Sequence, residues 1–384
     1  MAKKRVYGEG SVTRRKDGRY QISVPGIDGK RRYGYADSPK DAEKLRRQML
    51  ADVEQGKQPP SKQLFQVHAR EWLEMKKRED GKPNTYINAV SRMDAYFVPA
   101  FGHIPLNRLT PDHIQKLYDQ LLDKGLNPNT VRTYHSTLKT CLDSAVKRGK
   151  LNENPCNHVD LPKKRKSKNS YLSQEEALRL LEAVKQHKLL SVLVPLALAS
   201  EARESELLAL TWDDIDLERG RMRINKTLTK TLDEAGKVRM FLQSVTPKSE
   251  SGTREISLPD FALSALRLHR KTQLRQFGQQ NTKNLVFFTK NGNWYWPNSV
   301  KDIFDRFVRK IGFDITFHDL RHTGATLGLE GGISPLEMQH RLGHSDIKTT
   351  LGVYGHVTRK MEDQATTTLE NLFSDQKNKD FEAM

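Results

Sequence analysis

The stretch that decides the fold is "FHDLRHTGATLGLEGG", residues 317–332. Read as a helix, it places His318 and Arg321, three apart, on one face, with His322 four beyond His318. Two histidines at that spacing, with an acid directly after the first, match the pattern of a zinc-binding helix with Asp319 in place of the usual Glu. Arg321 argues the other way. It lies one turn from His318, where its charge repels a metal and attracts an anion, and a zinc site needs a third ligand. A second i, i+4 pair, His340 and His344, keeps the metal reading as an alternative. His322 reads as a packing residue.

The flanking sequence continues the helical pattern. "SPLEMQHRLGHSD" starts with Ser334 and Glu337 as a capping box and Pro335 at the first position, and it stops at Gly343, with His344 directly after. Ser345 caps the next helix, which ends at Tyr354. Further upstream, Ser173 and Glu176 box the start of "LSQEEALRLLEAV". An apolar helix follows at 189–199, then β-prone pieces at 221–228, 237–248 and 253–259. Trp212 and Phe287 lie in apolar runs and read as core.

The bulk numbers narrow the class of partner. The 384 residues carry a net charge of +18, with 36% hydrophobic and 29% charged residues. A surplus that large points to a polyanion, most often nucleic acid. Two cysteines, Cys141 and Cys156, exclude a disulfide framework and a cysteine-rich zinc site and suit a reducing cytoplasm. No run of about 18 apolar residues predicts a membrane span. The basic N-terminus lacks the apolar stretch of a secretory signal.

Residues 1–56 read as a small module of three strands and a helix, with hairpin signals at Asp17-Gly18 and Asp28-Gly29. Its helix starts at Ser38 and Pro39 and stops at Gly56. Arg14, Arg15, Lys16, Arg19, Lys30, Arg31 and Arg32 lie on or near the strands, and a basic sheet can enter a DNA groove. Residues 57–158 read as a helical bundle. Tyr86, Val90, Met93 and Phe97 make one apolar stripe, and Ile114, Leu117, Tyr118 and Leu121 make a second. Val131, Tyr134, Leu138, Cys141 and Ala145 make a third. Residues 159–170 form a linker whose Lys163, Lys164, Arg165, Lys166 and Lys168 read as a flexible basic strap that neutralises phosphates. Residues 171–384 form the last domain. In its tail, Met361, Ala365, Leu369 and Leu372 predict an amphipathic helix that docks on a neighbouring subunit.

Taken together, the motifs of the last domain resemble the catalytic signature of the tyrosine recombinases, the phage-integrase family. H-x-x-R-H is followed by L-G-H-S-x-x-x-T-T and then Y-x-H. "EARESELLALTWDDIDL" is similar to the family's first-arginine motif, with Arg203 in the arginine position and Glu206 after it. "TPKSESGTREISLP" is similar to its lysine hairpin, with Lys248. The likeness spans roughly residues 60–375, and residues 1–56 resemble the arm-binding domain of the larger integrases. It implies a multidomain, mainly α fold with small sheets: a three-stranded β plus helix arm-binding domain, a helical core-binding domain and an α+β catalytic domain.

The resemblance also implies roles. Tyr354 would attack the phosphodiester and hold a 3′ phosphotyrosine. Arg203 and Arg321 would clamp the non-bridging oxygens, each charge-assisted hydrogen bond being worth about 1.5–3 kcal/mol. His318 would accept the tyrosine proton or bond the phosphate, as would His344. Lys248 would protonate the leaving 5′ oxygen. Strand exchange would pass through a Holliday junction in a homotetramer on core and arm DNA sites, in the bacterial cytoplasm. Accessory bending or directionality proteins would be further partners, and no metal or cofactor is required. A type IB-like topoisomerase and a non-cleaving DNA-binding regulator are the rivals. One position departs from the family: Glu201 stands where a glycine is usual. An acid there opposes DNA, so Glu201→Gly is expected to raise affinity or activity unless the side chain points away.

Overall fold

The structure, a computed structural model, describes residues 9–26, 30–54, 61–78, 83–165, 171–233, 237–244, 253–277, 281–354, 366–367, 369–370 and 373. Lys166, Lys168, Lys248, the Asp28-Gly29 turn and, in the tail, Met361, Ala365 and Leu372 lie outside the described residues. The chain divides into two compact units, Met1–Lys166 and Ser167–Met384.

The first unit opens with three antiparallel strands, β1 (Ser11–Arg14), β2 (Tyr20–Pro25) and β3 (Arg31–Ala36), in the order β1-β2-β3. Helix α1 (Pro39–Glu54) covers one face. Ser38 caps it, its hydroxyl accepting from the Asp41 amide at 3.1 Å. Ile22 and Val24 from β2 and Ala42 from α1 are fully buried. Gly34 makes the close approach possible, because a Cβ there would meet Leu45 and Met49 at 3.0 Å.

The bundle that follows comprises α2 (Phe65–Arg78), α3 (Pro83–Arg92), a π-turn at Met93–Phe97, α4 (Val98–Phe101), α5 (Pro111–Asp123) and α6 (Pro128–Lys147). Phe65, Met93, Phe97, Phe101, Tyr118, Leu138 and Cys141 form its centre, each at most 1% exposed. Phe65 and Phe101 meet edge to face at 4.9 Å. Burial of this kind stabilises by about 1.5–3 kcal/mol per large side chain. The described part of the basic strap is held rather than loose. The Asn129 amide group of α6 donates to the Arg165 carbonyl at 2.8 Å and accepts from its amide at 3.1 Å, and Arg132 donates to the Pro162 carbonyl at 3.0 Å.

The second unit is built around α8 (Leu190–Ser200), whose eleven residues are all apolar except Ser191 and Ser200. Helices α7 (Gln174–Ala183), α10 (Asp260–Phe277) and α12 (Phe317–Glu330) pack on it. Short α9 (Glu204–Leu207) follows directly. The strands form two small sheets. Strands β4 (Ile215–Asp216), β5 (Arg221–Ile224) and β8 (Arg254–Ser257) make one, and β6 (Lys226–Leu232) and β7 (Val238–Ser244) make a hairpin. Helices α11 (Pro297–Lys310), α13 (Pro335–Leu342) and α14 (Ile347–Tyr354) complete it. Trp212 and Phe287 are buried in its core. Among the described residues no helix is long and apolar enough to cross a membrane.

Candidate active site

Asp319, the acid inside the histidine pair, works for the helix. Its carboxylate accepts from the Thr316 amide at 2.7 Å and from the Thr316 hydroxyl at 2.8 Å, closing a capping box at the start of α12. The T-x-x-D spacing at 316–319 signals this. One turn on, Arg321 is 4% exposed. Its Nη1 donates to the Glu201 carbonyl at 2.5 Å, and its Nη2 donates to the Leu342 carbonyl at 2.7 Å and to His344 Nε2 at 3.1 Å. Helix α12 reaches α8 closely through Gly324, where a Cβ would stand 2.3 Å from the Leu198 carbonyl oxygen. His318 and His322 meet edge to face at 4.8 Å.

Helix α13 ends at Gly343, whose left-handed φ of 63° turns the chain so that His344 faces back to Arg321. The His344 ring is held on its other side by Thr350 Oγ1 at 3.0 Å from Nδ1. Since Arg321 can only donate, His344 Nε2 accepts and Nδ1 carries the proton. Burial, then Arg321, Arg203 and Arg254, push its pKa down to about 4. Burial, then Arg321 and Arg203, also lower His318. Both imidazoles are therefore neutral near pH 7, and both lie in the field of Arg203 and Arg321.

Arg203 precedes α9 and is 44% exposed at its side chain. Glu206, one turn on, accepts from the Arg203 amide at 2.9 Å and from its Nη1 at 2.9 Å. The same carboxylate takes buried Arg254 of β8 at 2.8 and 3.4 Å. Burial pushes the Glu206 carboxyl up, but Arg254 and Arg203 outweigh it and hold it below its usual range. Glu206 thus aims one exposed arginine by anchoring it to a buried one. Arg254, from "GTREIS", is absent from the residues singled out by motif.

Glu201 keeps the left-handed turn that glycine favours, with φ 50° and ψ 22°. Its carboxylate accepts from Arg341 Nε at 2.8 Å and is 5% exposed, so it is turned inward to a partner rather than toward an anion. The expectation that this acid opposes DNA therefore loses its ground.

The profile described as the phage integrase family matches residues 170–361, half of the chain, and one described as phage integrase, N-terminal SAM-like domain, matches residues 65–122. The chain belongs to the phage integrase family. It is a tyrosine-type site-specific recombinase, an enzyme that breaks and rejoins DNA. A tyrosine recombinase XerC-like protein of Caldanaerobacter subterraneus subsp. tengcongensis is 28% identical over 320 residues, covering 79% of this chain and 81% of the relative. The fold is that of the Tn1549 transposon integrase in complex with circular intermediate DNA, with a TM-score of 0.65 at 20% identity, covering 79% of this chain and 99% of that one. It is also that of lambda integrase solved as a tetramer bound to a Holliday junction, with a TM-score of 0.55 at 19% identity, covering 87% of this chain and 95% of that one.

In this integrase Tyr354 is the last residue of α14, the helix that begins three residues after His344. Arg203, His318, Arg321 and His344 come together around α12, while Lys248 lies outside the described residues. The N-terminal basic residues divide between faces. Arg31 alternates with exposed Tyr33 and Tyr35 on the side of the sheet away from α1, and Arg15 and Arg19 stack over Tyr35 at 5.4 and 6.0 Å. By register Arg14 and Arg32 fall with Ile22 and Gly34, on the α1 side, and Arg14 lies over Tyr20 at 6.0 Å. Lys16 is exposed on the turn before Gly18, and Lys163, Lys164 and Arg165 are exposed on the strap.

Proposed function

We propose that Tyr354 attacks a DNA phosphodiester clamped by Arg203 and Arg321, leaving a 3′ phosphotyrosine and a free 5′ hydroxyl. The observation that carries this reading is the convergence of Arg321, His344 and His318 with the field of Arg203 in the domain that ends α14 on Tyr354. Two guanidiniums match the non-bridging oxygens and keep their charge at any working pH. Neutral His318 can take the tyrosine proton, and Lys248 can give one to the leaving oxygen. Bond energy is kept in the phosphotyrosine, which the 5′ hydroxyl of a partner strand then attacks.

On this reading two such exchanges pass through a Holliday junction in a homotetramer, the state in which lambda integrase was solved. The strand module would bind accessory arm DNA with Arg15, Lys16, Arg19, Arg31, Tyr33 and Tyr35. The bundle and the catalytic domain would hold the core site, with Lys163, Lys164 and Arg165 on phosphates. The reaction would serve integration or excision of a mobile element in a bacterial cytoplasm.

The test is covalent trapping. The full chain is incubated in EDTA with a supercoiled plasmid carrying its candidate site and then denatured. A DNA-linked species that survives EDTA and is lost in Tyr354→Phe is the expected result. DNA binding with no covalent species in the unmutated protein would overturn the proposal.

A further inference from the structure

We propose that Glu201 and Arg341 form a positioning pair that sets the Leu342 carbonyl and the His344 ring against Arg321. The proposal rests on the assignment of Arg321 and Tyr354 made above. Backbone geometry gives no reason for a side chain at residue 201. Its φ of 50° is one that side chains resist, and glycine would adopt it without strain. What Glu201 adds is a carboxylate, and that carboxylate is spent on Arg341 at 2.8 Å, with both side chains well buried.

Arg341 gathers three elements. Besides Glu201 it donates to the Ala199 carbonyl in the last turn of α8 and to the Ser257 carbonyl at the end of β8, at 3.4 Å for the latter. It sits one residue before Leu342 and three before His344, the two acceptors of Arg321 Nη2. The third acceptor is the carbonyl of Glu201 itself. The pair therefore joins the residue that receives one side of the Arg321 guanidinium to the helix end that receives the other. If α13 shifted against α8, the acceptors on the two sides would move apart. The Arg341 carbonyl also accepts from Arg254 Nε at 2.8 Å, and Arg254 is the residue that Glu206 ties to Arg203. The placement of both phosphate-facing arginines thus runs through residue 341.

The charged groups that face Glu201 are Arg341 from α13, Arg321 from α12 and Arg254 from β8. Burial outweighs all three and holds its carboxyl at about 7. The charged pair accordingly assembles as pH rises across neutrality.

The experiment uses the full chain and a DNA duplex selected from a random-sequence library by binding to it, nicked so that cleavage is trapped in one turnover. Glu201→Gly and Arg341→Met should each slow cleavage by about tenfold or more, and the double variant should be no slower than the slower single, a coupling of about tenfold or more. DNA affinity should stay within about threefold, so that the loss falls in the chemical step. The rate of the unmutated protein should rise between about pH 6 and 8, and in Glu201→Gln that rise should flatten. Multiplicative single effects, or a loss carried by DNA affinity, would overturn the pair. If Glu201→Gly does not fold, an unchanged pH profile in Glu201→Gln does so instead. If the unmutated protein binds the duplex and traps nothing, it is the assignment of Tyr354 that fails.

Discussion

Replacing Glu206 by Gln isolates what one carboxylate does for two arginines. The amide keeps the size of the side chain but turns one of its two acceptors into a donor, and a guanidinium has only donors to offer. Arg254 is 1% exposed at its side chain and Glu206 6%, so their pair at 2.8 Å is buried, and removing one partner of such a pair costs about 3–5 kcal/mol. Arg203 is 44% exposed, and solvent screening reduces its share to well under about 1 kcal/mol. The sum is therefore about 3–5 kcal/mol, almost all from Arg254. At about 2–4 °C per kcal/mol for a domain of this size, the catalytic unit should melt at least about 6 °C lower. Tryptophan fluorescence reads this, since Trp212, Trp294 and Trp296 lie in the second unit and only Trp72 in the first. The sign with pH is fixed. The Glu206 carboxyl lies below its usual 4.5 in the folded protein, so its stabilisation is present above that value and is lost as pH falls through the folded pKa. The gap between the two proteins should be full at neutral pH and close in acid. A shift under about 2 °C at pH 7, or an equal shift in acid, would refute the reasoning.

Three further outcomes follow from the same geometry. Asp319→Ala removes a helix cap and should cost about 1 kcal/mol of stability in a denaturant melt, while single-turnover cleavage in EDTA continues; loss of cleavage restored by zinc would revive the metal reading. Gly324→Ala puts a Cβ against the Leu198 carbonyl, which forces α8 and α12 apart and should cost about 1–3 kcal/mol in the same melt, with cleavage reduced as Arg321 moves from the Glu201 carbonyl; an unshifted midpoint would show that the helices have room. His344 is held near 4 by burial and its arginine neighbours, so an NMR titration of the histidine rings should find it neutral down to about pH 5, and titration near 6.5 would contradict the hydrogen bond from Arg321.

Helix boundaries were legible because their signals are local. Ser38-Pro39, Ser173 with Glu176 and Ser334-Pro335 all start helices where the caps predict. The apolar stripes of the bundle also hold: Ile114, Leu117, Tyr118 and Leu121 are buried together, as are Val131, Leu138, Cys141 and Ala145. Strand boundaries were coarser. The piece read at 221–228 is two strands in two different sheets, β5 pairing with β4 and β8 and β6 pairing with β7, because pairing partners far along the chain decide where one strand ends. The basic residues of the N-terminal module were visible as a cluster. Only register separates Arg31 from Arg32, since neighbouring residues on a strand point to opposite faces.

At the candidate site, the motif residues stand out in the sequence, while the long-range pairs that join them do not. Arg203, His318, Arg321, His344 and Tyr354 stand in recognisable motifs. Arg254 and Arg341 lie within those stretches without standing out in them, yet each closes a link between motifs that lie far apart in the chain: residue 206 to residue 254, residue 254 to residue 341, residue 341 to residue 201, and residue 201 to residue 321. A buried guanidinium needs an acceptor for most of its donors, and a buried carboxylate needs a donor. Those requirements are met by whatever the fold brings near, which no spacing along the sequence reveals. Glu201 shows the consequence. Read alone it is an acid in a glycine's place beside an anion site. Beside Arg341 it is half of an ion pair, and the substitution that sequence favours, Glu201→Gly, leaves a buried arginine without its carboxylate. The same residue carries opposite expectations in the two readings, and the sign of the change in cleavage rate decides between them.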